Sequence, residues 1–285
     1  MKKTSHAPSV SKTRSLTRQL FLPLALIAGG LATASTAQAA LVFQMDFNDA
    51  DGNQSLLDRG TTGVTGAFTG NATYSTDVAS VNGGGYSGVF DGASGAANFG
   101  DINALDGLST MTITAWINMD NAGESGSGRI VQKRDGNTSG FETYYHSTDS
   151  ELEFVAKGSP VANGGGAIAF GSWTFIAMTY DSVAQQATFY TGDGTTLTGP
   201  DTVALNKGAL GSNSVSLLIG NNAADSRTFD GLIDNVRIYN SVEDAASLAS
   251  IMTFDDAAAI PEPSSAALLL GLCGLTLTLR RRRRR

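Results

Sequence analysis

Short runs in which every second residue is apolar, broken by glycine, make up most of the chain from residue 41 to residue 240. In Met111-Thr112-Ile113-Thr114-Ala115-Trp116-Ile117-Asn118-Met119 the odd positions are apolar, leaving the threonines, Trp116 and Asn118 on the opposite face. Leu41, Phe43, Met45 and Phe47 repeat the pattern and send Gln44 and Asp46 the other way. Near the far end Leu232, Asp234, Val236 and Ile238 are expected to share one face, which sets a carboxylate in an apolar row. If that row is buried, Asp234 needs N–H groups, an arginine or a metal as partner; at a frayed strand start, solvent serves instead.

Strands are predicted over residues 41–47, 86–90, 111–119, 129–133, 142–145, 151–156, 173–180, 187–190, 215–219 and 232–239. Asp-Gly pairs at Asp51-Gly52, Asp91-Gly92, Asp106-Gly107, Asp135-Gly136, Asp193-Gly194 and Asp230-Gly231 mark turns between them. Helical periodicity is nearly absent. After Tyr239, Ser241 is expected to cap a short helix, with Asp244 at its third position and Leu248 and Ile251 on its apolar side. Many short strands punctuated by glycine predict an all-β fold, a sandwich or jelly roll of two antiparallel sheets.

Composition matters once the ends are set aside. Residues 1–39 combine a basic start (Lys2, Lys3, Lys12, Arg14, Arg18), an apolar stretch from Leu20 to Ala34 and the small-residue pattern Ala37-Gln38-Ala39. That is the pattern of a signal peptide, expected to form an N-terminal apolar helix and to direct the mature chain out of the cytoplasm. Between residues 40 and 259, eight lysines and arginines face twenty-five acidic residues, a net charge of −17 that the whole-chain value of −7 conceals. Nucleic acid and anionic membrane surfaces are therefore excluded as partners, and cation binding or plain solubility fits better. Cys273 is the only cysteine and lies outside this acidic part, so the exported fold stands on core burial without disulfides.

Four motifs in order carry a family resemblance: Tyr86-Ser87-Gly88-Val89-Phe90-Asp91-Gly92, the 111–117 run, Trp173 with 175–180, and Phe229 to Tyr239 followed by the short helix. The chain resembles the concanavalin A-like, LamG-type jelly roll over residues 40–254. The resemblance implies two antiparallel sheets packed face to face with the first and last strands adjacent, a carbohydrate-binding or adhesive role without catalysis, and a structural calcium. It also brings aspartates near the first strand, Asp46 or Asp58, towards Asp234.

A small-residue linker follows over residues 255–259. The segment 260–285 then joins Pro261, Glu262 and Pro263 to an apolar run of fourteen residues, Ala266 to Leu279, and to the basic block Arg280, Arg281, Arg282, Arg283, Arg284 and Arg285. Fourteen residues fall short of the ~20 that span a bilayer as a helix, and the basic end would stay cytoplasmic. This tail resembles a PEP-CTERM sorting signal. The resemblance implies transient arrest in the inner membrane through a C-terminal apolar helix, cleavage by an exosortase-type protease, and delivery to the cell envelope, cell surface or extracellular matrix.

Candidate chemistry falls in three places. The exit of the first strand, Asp46-Phe47-Asn48-Asp49-Ala50-Asp51-Gly52 with Asp58, collects hard oxygen ligands of the kind calcium takes. Phe47 stands where an EF-hand loop would place its first ligand, so that motif is excluded. Asp46, Asp58 and Asp234 are the expected metal ligands. Tyr144 and Tyr145, beside His146, are the expected ring-stacking ligand contacts; Trp116 and Trp173 read as packing residues. Asp149, Glu151 and Glu153 alternate with Ser150, Leu152 and Phe154, so carboxylates project from one strand face at a spacing a retaining glycosidase could use through Glu151 and Glu153. A charged solvent face is the expected meaning, and no catalytic residue is assigned. With only His6 and His146 in the chain, neither a histidine-based triad nor a multi-histidine zinc site has enough members. The expected partner is an extracellular polysaccharide or surface glycan; a polysaccharide hydrolase and a purely structural matrix protein are the alternatives.

Overall fold

In the computed structural model, which describes residues 40–48, 55–82, 85–136 and 138–253, the alternating runs become strands of two antiparallel sheets. The strands are β1 (Leu41–Met45), β2 (Ser55–Leu57), β3 (Thr65–Phe68), β4 (Thr73–Ser75), β5 (Ser87–Asp91), β6 (Ala97–Asn98), β7 (Thr110–Met119), β8 (Arg129–Arg134), β9 (Gly140–His146), β10 (Glu151–Ala156), β11 (Ala162–Gly164), β12 (Thr174–Asp181), β13 (Gln186–Gly192), β14 (Leu197–Ala204), β15 (Leu218–Ile219) and β16 (Asp230–Tyr239), followed by the helix α1 (Ala245–Thr253). One sheet runs β14, β13, β12, β7, β16, β5, β4, with β1 also on β16; the other runs β11, β10, β9, β8, β15, β6, β3, β2. The expected signal peptide, Asp49, Asp51, Cys273, the linker, the sorting motif and the arginine block lie outside the described residues.

Opening and closing strands are adjacent, as the resemblance implies: β1 pairs antiparallel with the second half of β16, Gln44 opposite Arg237 and Met45 opposite Val236. Between the sheets lie Phe43, Met45 and Phe47 from the first run, all five odd-numbered apolar residues of β7, and Phe141, Leu152 and Phe154 from the other sheet. At about 1.5–3 kcal/mol per fully buried large apolar side chain, this interior is what holds an all-β domain without disulfides together.

Two bulges alter the predicted faces. The pairing of β16 with β7 shifts between Asp234 and Arg237, where Asn235 takes a positive φ of 47°. One extra residue flips the alternation. Ile233, Val236 and Ile238 therefore face the core, while Asp234, opposite Trp116, looks out with it, so the expected row of Leu232, Asp234, Val236 and Ile238 does not exist. A register shift between Leu41 and Phe43 likewise turns Leu41 to the outer face, where it packs with the second cluster. Asp230-Gly231 is no turn but the start of β16; a Cβ on Gly231 would sit 2.1 Å from the Asn118 carbonyl oxygen.

That second cluster covers the outer face of the first sheet. Trp116, Phe175, Tyr190 and Tyr239 pack beneath Leu248, Ile251 and Met252 of α1. The helix is capped by Asp244, whose Oδ1 accepts from Ser247 N at 2.8 Å, rather than by Ser241, whose hydroxyl turns to Glu243. This bond to Ser247 holds the Asp244 carboxyl below its ordinary range. At the other end Arg237 Nη1 donates to Ile251 O at 3.2 Å, a cation where the helix dipole favours one.

Two buried phenols give the fold an alkaline limit. Burial pushes Tyr180 and Tyr239 up to about 12, with Asp181 adding to the rise at Tyr180. In the unfolded chain a phenol ionises near 10. Between those values the folded chain binds more protons than the unfolded one, so stability is full below pH ~10 and falls as pH rises towards ~12. Melting temperatures should be flat up to pH ~10 and decline above it, with part of the tyrosine absorbance change arriving only with unfolding. A folded chain whose tyrosines all titrate together near 10 contradicts this packing.

Candidate functional site

The outer face of the second sheet is built by the hairpin β9–β10. Its turn closes with Ser150 at φ 60° donating its N–H to His146 O at 2.8 Å. Glu153 stands opposite Tyr144, and Glu151 opposite His146. Because Leu152 and Phe154 enter the core from β10, and Phe141 and Tyr145 from β9, the residues between them point outward. Glu142, Tyr144, His146, Glu151 and Glu153 thus share one face, joined by Arg129 and Gln132 of β8 and Asn163 of β11.

One end of this face is dry. Glu142 accepts from Arg129 Nε and Nη2, both at 3.2 Å, from Gln132 Nε2 at 3.1 Å, and from Arg134 Nη1. A buried carboxylate tolerates such a place only when its oxygens are fully paired. The Arg129 guanidinium also lies 3.8 Å from the centre of the Tyr144 ring and donates to Ser127 O at 2.7 Å. Tyr144 in turn donates its hydroxyl hydrogen to Glu153 Oε2. Burial, and after it the bond to Glu153, raises the Tyr144 phenol well above its ordinary range, so it stays a donor.

The other end is open to water. His146 Nδ1 lies 3.0 Å from Asp149 Oδ2 and 3.3 Å from Glu153 Oε1. Asn163 Nδ2 donates to the same Asp149 oxygen at 3.1 Å. Side-chain exposure is 32% for His146 and 40% for Asp149 but 7% for Glu153, so the group is anchored inside and reachable from outside. An imidazole, two carboxylates and an amide at one rim can exchange hydrogen bonds with hydroxyl groups or ligate a cation.

The residues expected to form a site are distributed differently. Tyr145 is in the core, edge-on to Phe170 at 5.7 Å, because it has the opposite parity to Tyr144 on β9. Tyr144 is buried with Arg129 across its ring, so neither tyrosine offers a free face for stacking. Trp116 is buried under α1, and Trp173 donates its indole N–H to Asp77 at 3.0 Å, in keeping with packing roles. Glu151 and Glu153 do project from one face, while Asp149 belongs to the turn and folds back onto His146.

The three expected metal ligands spend oxygens on protein donors. Asp58 accepts from Gln44 N and Gly60 N, each at 2.7 Å, and from the Thr62 hydroxyl. Asp46 accepts from Arg59 Nε at 2.7 Å and Asn48 N at 3.1 Å, and Asp234 from Asn235 N at 2.7 Å. Among the described residues these three carboxylates do not converge into one ligand group, as a calcium site requires. Among the described residues the group whose ligand atoms converge is His146, Asp149 and Glu153. A lone histidine carries no spacing signal in the sequence; only the hairpin register sets His146 over Glu153.

Comparison with known proteins agrees with this architecture. Residues 91–249, more than half of the chain, match the family model of the concanavalin A-like lectin/glucanases superfamily. The chain belongs to that superfamily. Among proteins of curated function none matches the sequence. Of solved structures, domain 4 of AbnA, a GH43 extracellular arabinanase from Geobacillus stearothermophilus in complex with arabinotriose, is similar with a TM-score of 0.57 at 19% identity, over 75% of this chain and 99% of that one. The binding domain of Paraclostridial Mosquitocidal Protein 1 (0.54, 13%) and that of Botulinum Neurotoxin DC in complex with SialylT (0.54, 12%) are similar over 75% and 76% of this chain. This chain spans 52% of each of those two.

Proposed function

We propose that the protein is an exported, non-enzymatic carbohydrate-binding protein that takes its glycan at the wet rim formed by His146, Asp149 and Asn163. The observation that carries the reading is this rim on a lectin/glucanase sandwich: hydrogen-bonding groups of three chemical kinds, prearranged by a buried network. The named ligands of similar folds, arabinotriose and SialylT, support a saccharide rather than another class of partner.

A hydrolase is disfavoured by the commitment of one of its two acids. Glycoside hydrolysis needs one carboxyl placed to give a proton to the leaving oxygen and a second across the scissile bond. Of the two acids such an enzyme would use, Glu151 and Glu153, the second is already engaged by Tyr144 and His146. Export is supported by the signal-like residues 1–39, and delivery to the envelope by Pro261-Glu262-Pro263, the apolar run and Arg280 to Arg285. On this reading an exosortase-type protease removes the tail.

The experiment is a glycan array probed with the purified chain, beside a reducing-sugar assay on arabinan, glucan and galactan. Binding to a restricted set of glycans without sugar release is expected. Sugar release would establish the hydrolase, and a blank array the purely structural matrix protein.

A further inference from the structure

The rim carries a second inference, which does not rest on the glycan reading. We propose that His146 Nδ1, Asp149 Oδ2 and Glu153 Oε1 form a binding site for a divalent transition-metal ion, zinc being the ion that fits this donor set best.

The three ligand atoms lie within 4.8 Å of one another, with the imidazole nitrogen 3.0 Å and 3.3 Å from the two oxygens. Atoms bound to one zinc ion at about 2.0–2.2 Å stand roughly 3–3.5 Å apart. Two edges already have that length, and the third closes by a small turn of the exposed Asp149 side chain. A hydrogen bond is the weaker explanation, because one Nδ1 can carry one hydrogen and here it faces two carboxylates. An ion serves both.

A second, independent set of contacts fixes the ligands from behind. Glu153 is 5% exposed, and its other oxygen is held by the Tyr144 hydroxyl beneath the Arg129 guanidinium. Asp149 is held at the ligating oxygen itself, where Asn163 Nδ2 donates to Oδ2, which keeps a further lone pair for the ion. Partners of this kind orient metal ligands in built sites. Charge points the same way: among the described residues neither Asp149 nor Glu153 has a lysine or arginine partner, and His146 is their shared ion-pair contact. Two carboxylates beside a single imidazole make a donor set that suits a cation. Exposure of His146 and Asp149 leaves the remaining coordination positions to water. Calcium prefers six or more oxygens and no nitrogen, so a mixed nitrogen and oxygen set selects a transition metal instead.

The test uses the full-length chain, purified with a tag free of histidine and stripped with a chelator. Isothermal titration with zinc chloride should give one site per chain, zinc should raise the melting temperature, and cobalt(II) should produce visible d–d absorption. H146A and D149N should each weaken zinc binding at least tenfold and abolish the cobalt bands, while their metal-free melting curves stay close to that of the parent. Y144F should bind zinc more weakly than the parent but more tightly than H146A. Absence of a zinc-dependent shift in the parent overturns the proposal. So does H146A binding zinc as well as the parent, which would place the ion elsewhere, as at His6 or Cys273. Because glycan takes no part, a blank glycan array leaves this result standing, and a failed titration leaves the glycan reading to its own test.

Discussion

Asp58→Ala is expected to destabilise the fold by about 4 kcal/mol. Asp58 is 2% exposed, and its two oxygens serve Gln44 N, Gly60 N and the Thr62 hydroxyl. Alanine strands the buried Gln44 N–H, at roughly 1–3 kcal/mol, and takes the acceptor from the part-buried Gly60 N–H and Thr62 hydroxyl as well. The loss spreads, because the segment after Asp58 runs along β1: Arg59 N bonds Gln44 O, Thr61 N bonds Leu41 O and Thr62 N bonds Val42 O. Releasing it uncovers the opening strand on the side away from β16. Asp58→Asn keeps the shape but turns an amide N–H towards a donor, so it should fall between alanine and the parent. Urea denaturation reads both variants. An alanine variant within ~0.5 kcal/mol of the parent would mean that Asp58 is no clamp.

Lys133→Met comes next, at about 3–5 kcal/mol. The Lys133 ammonium is fully buried and donates to Asp101 at 2.9 Å, Asp106 at 3.0 Å, and the main-chain and side-chain oxygens of Asn213, both at 3.2 Å. It ties the loops preceding β7 and β15 to the end of β8. Methionine keeps the packing of the stem but removes the charge, leaving Asp106 unpaired where its side chain is 15% exposed. Asp101 is 34% exposed and recovers water, which keeps the cost towards the lower end of the range. The double variant K133M/D106N should regain part of the stability, since it removes the stranded charge. If the double variant is less stable than K133M by the full effect of D106N alone, the two residues are not coupled.

How much of this was legible in the sequence follows from what each signal measures. Alternation reports the side of a strand, so β7, whose odd-numbered residues all enter the core, could be read residue by residue. It cannot report a one-residue insertion, and so the bulge at Asn235 put Asp234 and Val236 on opposite faces unannounced. Short or solvated strands also escape. β14 carries Pro200 and alternates weakly, because it is an exposed edge with nothing to bury. For the site, chemistry was visible and purpose was not. Asp58 followed by Gly60 and Thr62 reads the same whether its oxygens meet an ion or N–H groups. Tyr144 and Tyr145 are neighbours in sequence, yet parity sends one to each side of β9. His146 and Asp149 gained meaning only when the turn placed both against Glu153.

If a glycan binds at the rim of β9–β10, H146A/N163A should lose at least tenfold in affinity for the glycan that the parent binds best on the array, with a melting curve close to the parent's. Full affinity retained by that variant would place the binding surface elsewhere on the sandwich.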